Sequence, residues 1–477
     1  MVSFILNNQL VSTESPSGSS LLDFIRYEKY LPGTKVGCRE GDCGACTVLE
    51  GTLENDKVIY KSIVSCLTPL INVHGKHIVT IEGINHENLT PVQEAIVDHS
   101  ATQCGFCTPG FVMSFTSHAL SDELSTREKA IATVSGNICR CTGYKSIEKA
   151  ADTISNLLKD KRTDDPIGWL VKNRFLPEYF LSIPKRLSEI EKHIGSSISN
   201  DIFVSGGTDI FVQKADELNH LNIRTFTDRG DLRGIKVINR RCVIGAATTT
   251  SEIEESSIIK DLLPELSKYM KLVASKPVRN MGTVGGNIVN ASPIGDMTII
   301  FLALNADLTL DGPGGELTVP LKDFFIGYKK LKIKKDEFLR SIIFPLPQRN
   351  VLFNFEKVSK RTYLDIASVN SAIQIISEDN RIMECYLSAG GVSPIPLFMA
   401  KTSDFLKGKI VTNVTILEAN KIMQEEIAPI SDVRGSKEYK RLLLRQLFFA
   451  HFIKFFPDIL DLKMLLNIKQ ILFSEYF

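Results

Sequence analysis

The sequence predicts a multidomain α+β protein, and three observations carry that expectation. Its 477 residues, 43% apolar and 23% charged, suffice for three or four separately packed cores. Strand-like alternation, then helical periodicity, then alternation again follow one another in blocks along the chain. Eight of the ten cysteines fall in two short groups: Cys38-x4-Cys43-x2-Cys46 with Cys66, and Cys104-x2-Cys107 with Cys139-x-Cys141. Such grouping marks two metal centres within the first third of the chain.

Cys242 and Cys385 stand alone in apolar, strand-like contexts and read as core thiols. The start, Met1-Val2-Ser3-Phe4-Ile5, has no basic region followed by an apolar run, so the thiols are expected to be reduced and the protein cytoplasmic. A net charge of +1 gives no footprint for nucleic acid. The apolar stretch 442–460 is broken by Arg445, His451, Lys454 and Pro457, which predicts a packed or partner-facing helix and no membrane span.

Residues 2–12 alternate around Asn7-Asn8, a hairpin signal, and residues 20–25 read as a short helix. Next comes Gly37-Cys38-Arg39-Glu40-Gly41-Asp42-Cys43-Gly44-Ala45-Cys46, whose glycines let the backbone wrap closely and aim amides at sulfur. This is the plant-type [2Fe-2S] ligand spacing, with Cys66, after the strand-like run 57–60, as the fourth ligand. Structural zinc also takes four thiolates, but favours paired Cys-x2-Cys knuckles at both ends.

From Thr90 the pattern turns helical: Thr90 caps, Pro91 fits the first turn and Gln93 completes a capping box, with the same device expected at Thr108-Pro109. The first helix is expected to end near Gln103 and the second to present Phe111, Phe115 and Ala119. A third starts near Arg127, and a fourth near Ser146 with Ile147, Ala150, Ala151, Ile154, Leu157 and Leu158 on one face. Two helix pairs with a thiol pair at each turn make a four-helix cradle for a metal. By ligand type alone, zinc stays open at this second centre.

Three stretches, Gly37 to Val48, Gln103 to Gly110 and Gly136 to Tyr144, together resemble the iron–sulfur half of the xanthine dehydrogenase and aldehyde oxidase family of molybdenum hydroxylases, over residues 1 to about 160. The resemblance implies a β-grasp ferredoxin-like domain at 1–85 and a four-helix domain at 86–160, each with one [2Fe-2S] cluster. It also implies that Gln103 hydrogen-bonds the molybdopterin of a partner chain; by itself Gln103 also reads as a helix cap.

The polar run 159–166 reads as a linker into a new domain, with a boundary near 165. Two glycine-bearing turns follow, within 202–209 and 279–287, each able to offer consecutive amides to a phosphate. Neither carries a Rossmann or P-loop sequence, and a lone Gly-Gly is ordinarily just a turn. Residues 274–296, however, resemble the FAD-binding segment of the same family, and Gly206-Gly207-Thr208-Asp209 resembles its pyrophosphate loop. By that resemblance Val204, Ser205, Gly206, Gly207, Thr208, Asp209, Thr283 and Gly286 hold the diphosphate region, and Asn287, Ser292 and Asp296 bond further along the flavin nucleotide. The implied domain is a two-lobed α+β FAD-binding domain at 166–345. Where many relatives carry an aromatic residue to stack on the flavin ring, this chain has Val273. Residues 324–328, Phe-Phe-Ile-Gly-Tyr, resemble a family loop near the flavin and equally read as core aromatics beside a turn.

From Phe355 strands resume, with helices from Thr412 onward, giving a small α+β domain at 350–477 that resembles the family's C-terminal flavoprotein domain, Ile430 to Ser436 included. The last thirty residues read as a terminal helix pair. The eight histidines are scattered singly, and no acid–base constellation is recognisable.

The resemblance implies an electron-transfer subunit. It would pass electrons from a molybdenum centre on a molybdopterin-binding large subunit through two [2Fe-2S] clusters to FAD and on to NAD+, during hypoxanthine and xanthine oxidation. No stretch resembles a molybdopterin-binding region, so that site is expected on a separate chain, with a dimer of heterodimers as the implied assembly. The same module serving an aldehyde or N-heterocycle hydroxylase, and a zinc-stabilised binding protein without redox activity, are the alternatives.

Overall fold

A computed structural model describes residues 1–191, 202–227, 229–347, 350–361 and 363–466. The chain divides into two compact units, Met1–Arg229 with Ser275–Gly282, and Gly230–Ala274 with Thr283–Phe477.

In the first unit, strands Gln9–Thr13, Val2–Leu6, His77–Val79, Thr47–Glu54 and Lys57–Val64 form one sheet in that order. Only the contact of Val2–Leu6 with His77–Val79 is parallel. Asn7 takes the left-handed conformation (φ 54°) that closes the first hairpin. Alternation sends Phe4 into one apolar cluster and its neighbour Ile5 into another. The helix after Ser20 is there, but its second part, Phe24–Glu28, is a π turn.

Helices Pro91–Asp98, Thr108–Leu120, Arg127–Thr133 and Lys145–Leu157 follow. The Thr90–Gln93 capping box forms, and Phe111, Phe115 and Ala119 are buried. The first helix stops well before Gln103, because Ser100 turns left-handed (φ 50°) and Ala101 N–H closes back on Ile96 O at 2.8 Å. Thr108 does not cap: Cys107 holds the N-cap position, and the Thr108 hydroxyl bonds that of Thr102 at 2.7 Å. Leu157 is 46% exposed, one step off the stripe that buries Ile147, Ala150, Ala151, Ile154 and Leu158.

After the polar run, residues 166–190 fold back onto this unit. Leu170, Phe175, Leu176, Phe180, Ile183 and Leu187 join the cluster of Phe111 and Phe115. The segment Ser275–Gly282 also belongs here. Asn280 Nδ2 donates to Ser62 O at 2.8 Å, Val278 packs with the cluster of Leu67, and Ser275 and Pro277 lie against Gly136.

The second unit holds a five-stranded antiparallel sheet in the order Leu317–Pro320, Asp307–Asp311, Phe338–Pro345, Arg241–Gly245, Ile235–Ile238. Helix Asp296–Ala303, apolar all round, is buried from Met297 to Ala303. A four-stranded antiparallel sheet runs Val351–Val358, Val369–Glu378, Arg381–Gly390, Leu397–Phe398. Helices Ala400–Leu406, Asn413–Glu426 and Lys437–Phe455 complete it, the last burying Leu444, Phe448, Phe449 and Phe452. Of the last thirty residues, expected to form a helix pair, 448–455 end this longer helix, Leu462–Leu466 is a short one, and 467–477 lie outside the described residues. No helix among the described residues is long and apolar enough to cross a membrane.

Candidate functional site

The first thiol set is built by a loop and a strand end. Gly37 to Cys46 leads into strand Thr47–Glu54, whose partner Lys57–Val64 runs directly into the turn holding Cys66. Backbone N–H groups reach sulfur: Glu40 and Cys43 donate to Cys38 Sγ at 3.3 and 3.4 Å, and Cys38 to Cys43 Sγ at 3.4 Å. The Cys43 thiol, helped by those amides against the opposing push of burial, draws Cys38 down to about 5, while Cys43 is pushed far up. Cys46 and Cys66, both buried, form a second pair in which Cys46 is lowered by its hydrogen bond from Cys66, and Cys66 is raised in return.

The second set pairs likewise. Cys104 and Cys141, both exposed, bring their sulfurs to 3.7 Å. Cys107, pushed up to about 12 by burial and then by Cys139, meets that residue. Burial works to raise Cys139, yet the Thr142 hydroxyl (3.2 Å) and N–H (3.5 Å) carry it below its ordinary range. Among the described residues no three Cys, His, Asp or Glu side chains converge on one point. Thiols meeting two by two, with amides on sulfur, fit a diiron group that takes two thiolates per iron. Cys242 and Cys385 are buried and far from either set in sequence, their thiols pushed up by burial alone or chiefly so.

Gln103 is exposed, and its Nε2 donates to Cys141 O at 3.2 Å, so it ties the two cysteine turns together and caps no helix. The sets themselves are joined by a backbone bond: Ile138 N–H donates to Cys43 O at 2.9 Å.

Of the expected flavin residues, 204–209 lie in the first unit. Strand Ile202–Val204 turns through Ser205 to Asp209 into helix Ile210–Leu218. Ser205 O accepts from Asn72 Nδ2 at 2.8 Å. Gly207 has φ +84°, and a Cβ there would stand 2.7 Å from Pro69 and 2.9 Å from Leu67 O, so the turn lies directly on the residue after Cys66. Only glycine fits.

Thr283, Gly286, Asn287, Ser292 and Asp296 lie in the second unit. Thr283 caps helix Val284–Val289, its Oγ1 accepting from Gly286 N at 3.1 Å. Asn287 Oδ1 accepts from Thr298 N (3.3 Å) and Oγ1 (3.2 Å), and Gly295 N donates to Ser292 O at 3.1 Å. Asp296 opens the buried helix and is held by two residues the sequence reading did not single out. Lys357 Nζ donates to Oδ2 at 2.6 Å, and Asn370 Nδ2 to Oδ1 at 2.6 Å; the Lys357 side chain is 2% exposed and also donates to Leu272 O. The available signal was alternation, since Phe353, Phe355 and Lys357 share one face of their strand. Val273 is buried. Phe324 and Phe325 are core residues, whereas Ile326 and Tyr328 are exposed.

The two thiol sets fit the iron–sulfur groups named by comparison with known families. A 2Fe-2S iron–sulfur cluster binding domain matches residues 4–70, a [2Fe-2S] binding domain 80–152, an FAD binding domain in molybdopterin dehydrogenase 178–347, and a CO dehydrogenase flavoprotein C-terminal domain 355–455. Xanthine dehydrogenase of Blastobotrys adeninivorans is 28% identical over 94% of this chain and 40% of its own length. Xanthine dehydrogenase 1 of Arabidopsis thaliana is 27% identical over 91% and 38%. The chain thus spans about two fifths of the length of these relatives. A solved carbon monoxide dehydrogenase from Hydrogenophaga pseudoflava, lacking the Mo-pyranopterin moiety, is 26% identical with a TM-score of 0.50, covering 52% of this chain and 87% of that one.

Proposed function

We propose that this chain, which carries two 2Fe-2S domains and an FAD binding domain of molybdopterin dehydrogenase type, is the electron-transfer part of a xanthine dehydrogenase, fed by a partner chain that binds molybdopterin and delivering electrons to NAD+. When bound, the two [2Fe-2S] groups would supply one-electron steps, and FAD the pairing of two electrons for release as hydride.

One observation carries the reading: both thiol sets and the Gly206-Gly207 turn lie in one unit, linked by direct contact. Cys139 follows Ile138, whose N–H is bonded to Cys43 O at 2.9 Å, and Cys66 precedes Leu67, whose carbonyl lies against Gly207. This chain's residues hold and orient. Amides of Glu40 and Cys43 favour negative sulfur, and the burial of Cys46 and Cys66 keeps water from one side of the first set. Within the first unit, the 204–209 turn would present N–H groups to a diphosphate. Cys104, Cys141, Phe106 and Tyr144 are exposed together with Gln103, which supports a partner covering this face and Gln103 reaching its pterin.

The names of the curated relatives favour a purine as the partner's substrate. Co-expression with a molybdopterin-binding chain, followed by anaerobic addition of xanthine and then, in separate portions, of NAD+ or of air, tests the reading. Expected are bleaching of the visible bands and NADH formation. Bleaching by aldehydes or N-heterocycles and not by xanthine would reassign the substrate, and oxygen consumption without NADH would reassign the acceptor.

A further inference from the structure

We propose that Asn137 is a positioning residue that sets the spacing between the two cysteine loops and, through it, the rate at which electrons cross; this rests on the electron-transfer reading above. Asn137 stands two residues before Cys139 and is 4% exposed. Its Nδ2 donates to Gly44 O at 3.1 Å, on the residue after Cys43. Its Oδ1 accepts from Ser114 Oγ at 2.7 Å, on helix Thr108–Leu120, which begins directly after Cys107. One side chain therefore ties together segments carrying Cys43, Cys107 and Cys139.

The chemistry calls for an amide. One partner must receive a proton and the other must give one, and in a buried place no water replaces a missing bond. The backbones around it are at closest approach: a Cβ on Gly110 would lie 2.3 Å from Gly44 O, and one on Gly44 would lie 2.4 Å from Gly136 O. At that separation the Ile138 N–H to Cys43 O bond forms, and Asn137 adds a second tie beside it. With a single tie the loops can hinge about it. With two, their separation and angle are both held, and electron transfer between metal centres falls steeply with separation.

The test uses the whole chain, assembled with iron and sulfide anaerobically, reduced with dithionite and examined by low-temperature paramagnetic resonance. Two neighbouring reduced diiron centres split each other's signals, and this splitting reads their spacing. Asn137→Asp keeps the acceptor for Ser114 but sets a carboxylate against the Gly44 carbonyl. Its expected result is wild-type iron content with both signals present and the splitting lost. Ser114→Ala, which removes only the brace, is expected to narrow it. Either variant with both signals and wild-type splitting overturns the proposal. Should Asn137→Asp assemble no clusters, Ser114→Ala decides alone by the same criterion. A wild-type chain without two mutually split signals overturns this proposal together with the electron-transfer reading, whereas split wild-type signals unchanged in the variants overturn the proposal only.

Discussion

Cys38 and Cys43 share a loop, yet one thiol is drawn down and the other pushed up, because each hydrogen-bonds the other and the amides of Glu40, Asp42 and Cys43 favour a charged Cys38. Both can ligate only as thiolates, so a bound cation must hold the second one ionised, and removing one thiolate from a set costs that set alone. Cys66→Ala is expected to abolish one of two diiron signals and about half of the bound iron, the other signal persisting; chelation assay and paramagnetic resonance check this. Lys357→Ala leaves Asp296 without its buried cation, and is expected to cost roughly 3–5 kcal/mol in denaturant unfolding together with loss of bound flavin. His77 is bonded through both ring nitrogens, to Tyr60 OH (2.7 Å) and Asn7 O (2.9 Å), and burial holds it near 3 against an ordinary 6.5. The unfolded chain therefore binds a proton that the fold refuses between those values. The stability this gives is whole above 6.5 and drains as pH falls toward 3. His77→Gln is expected to flatten the fall of melting temperature across that window. The grouping of the cysteines was legible because it sits largely in local spacing. Lys357, Asn370 and Asn137 were not, because each draws its role from a partner far along the chain: Asp296 is 61 residues from Lys357, and Gly44 is 93 from Asn137.

Elements were legible where the signal is short-range. The Thr90 box and the Asn7 hairpin formed as read, since each involves residues within a turn of one another. Helix ends were less so: Ser100 in a left-handed conformation and Cys107 at an N-cap follow from tertiary constraint on the cysteine turn, against the preferences of both residue types. The turn after Ile202–Val204 separates two effects of glycine. Gly207→Ala meets both a positive φ and the atoms of Pro69 and Leu67, whereas Gly315→Ala, at φ +85°, has nothing within 4 Å. Gly207→Ala is expected to lower the thermal midpoint further than Gly315→Ala, whose backbone strain alone costs about 1–3 kcal/mol, and only Gly207→Ala should also lower flavin content.

At the scale of the whole molecule, the two thiol sets differ in cover. Cys46 and Cys66 are buried, while Cys104 and Cys141 are exposed. With the chain alone, iron of the second set is expected to leave first under chelator, and a bound partner should slow that loss; following each resonance signal against time decides it. Block-wise α+β organisation was visible in the sequence. The assignment of Ser275–Gly282 to the first unit was not, since no periodicity announces that eight residues leave one core to serve another. That excursion has a practical sequel. A product trimmed at Arg229 would be missing the peptide that caps Ser62 O and shields Leu67 and Gly136, and its exposed scar should make it sticky. Supplying 275–282 as a separate synthetic strip, or splicing it after Arg229 through a flexible tether, is the way to make the iron-binding half behave as a free-standing molecule.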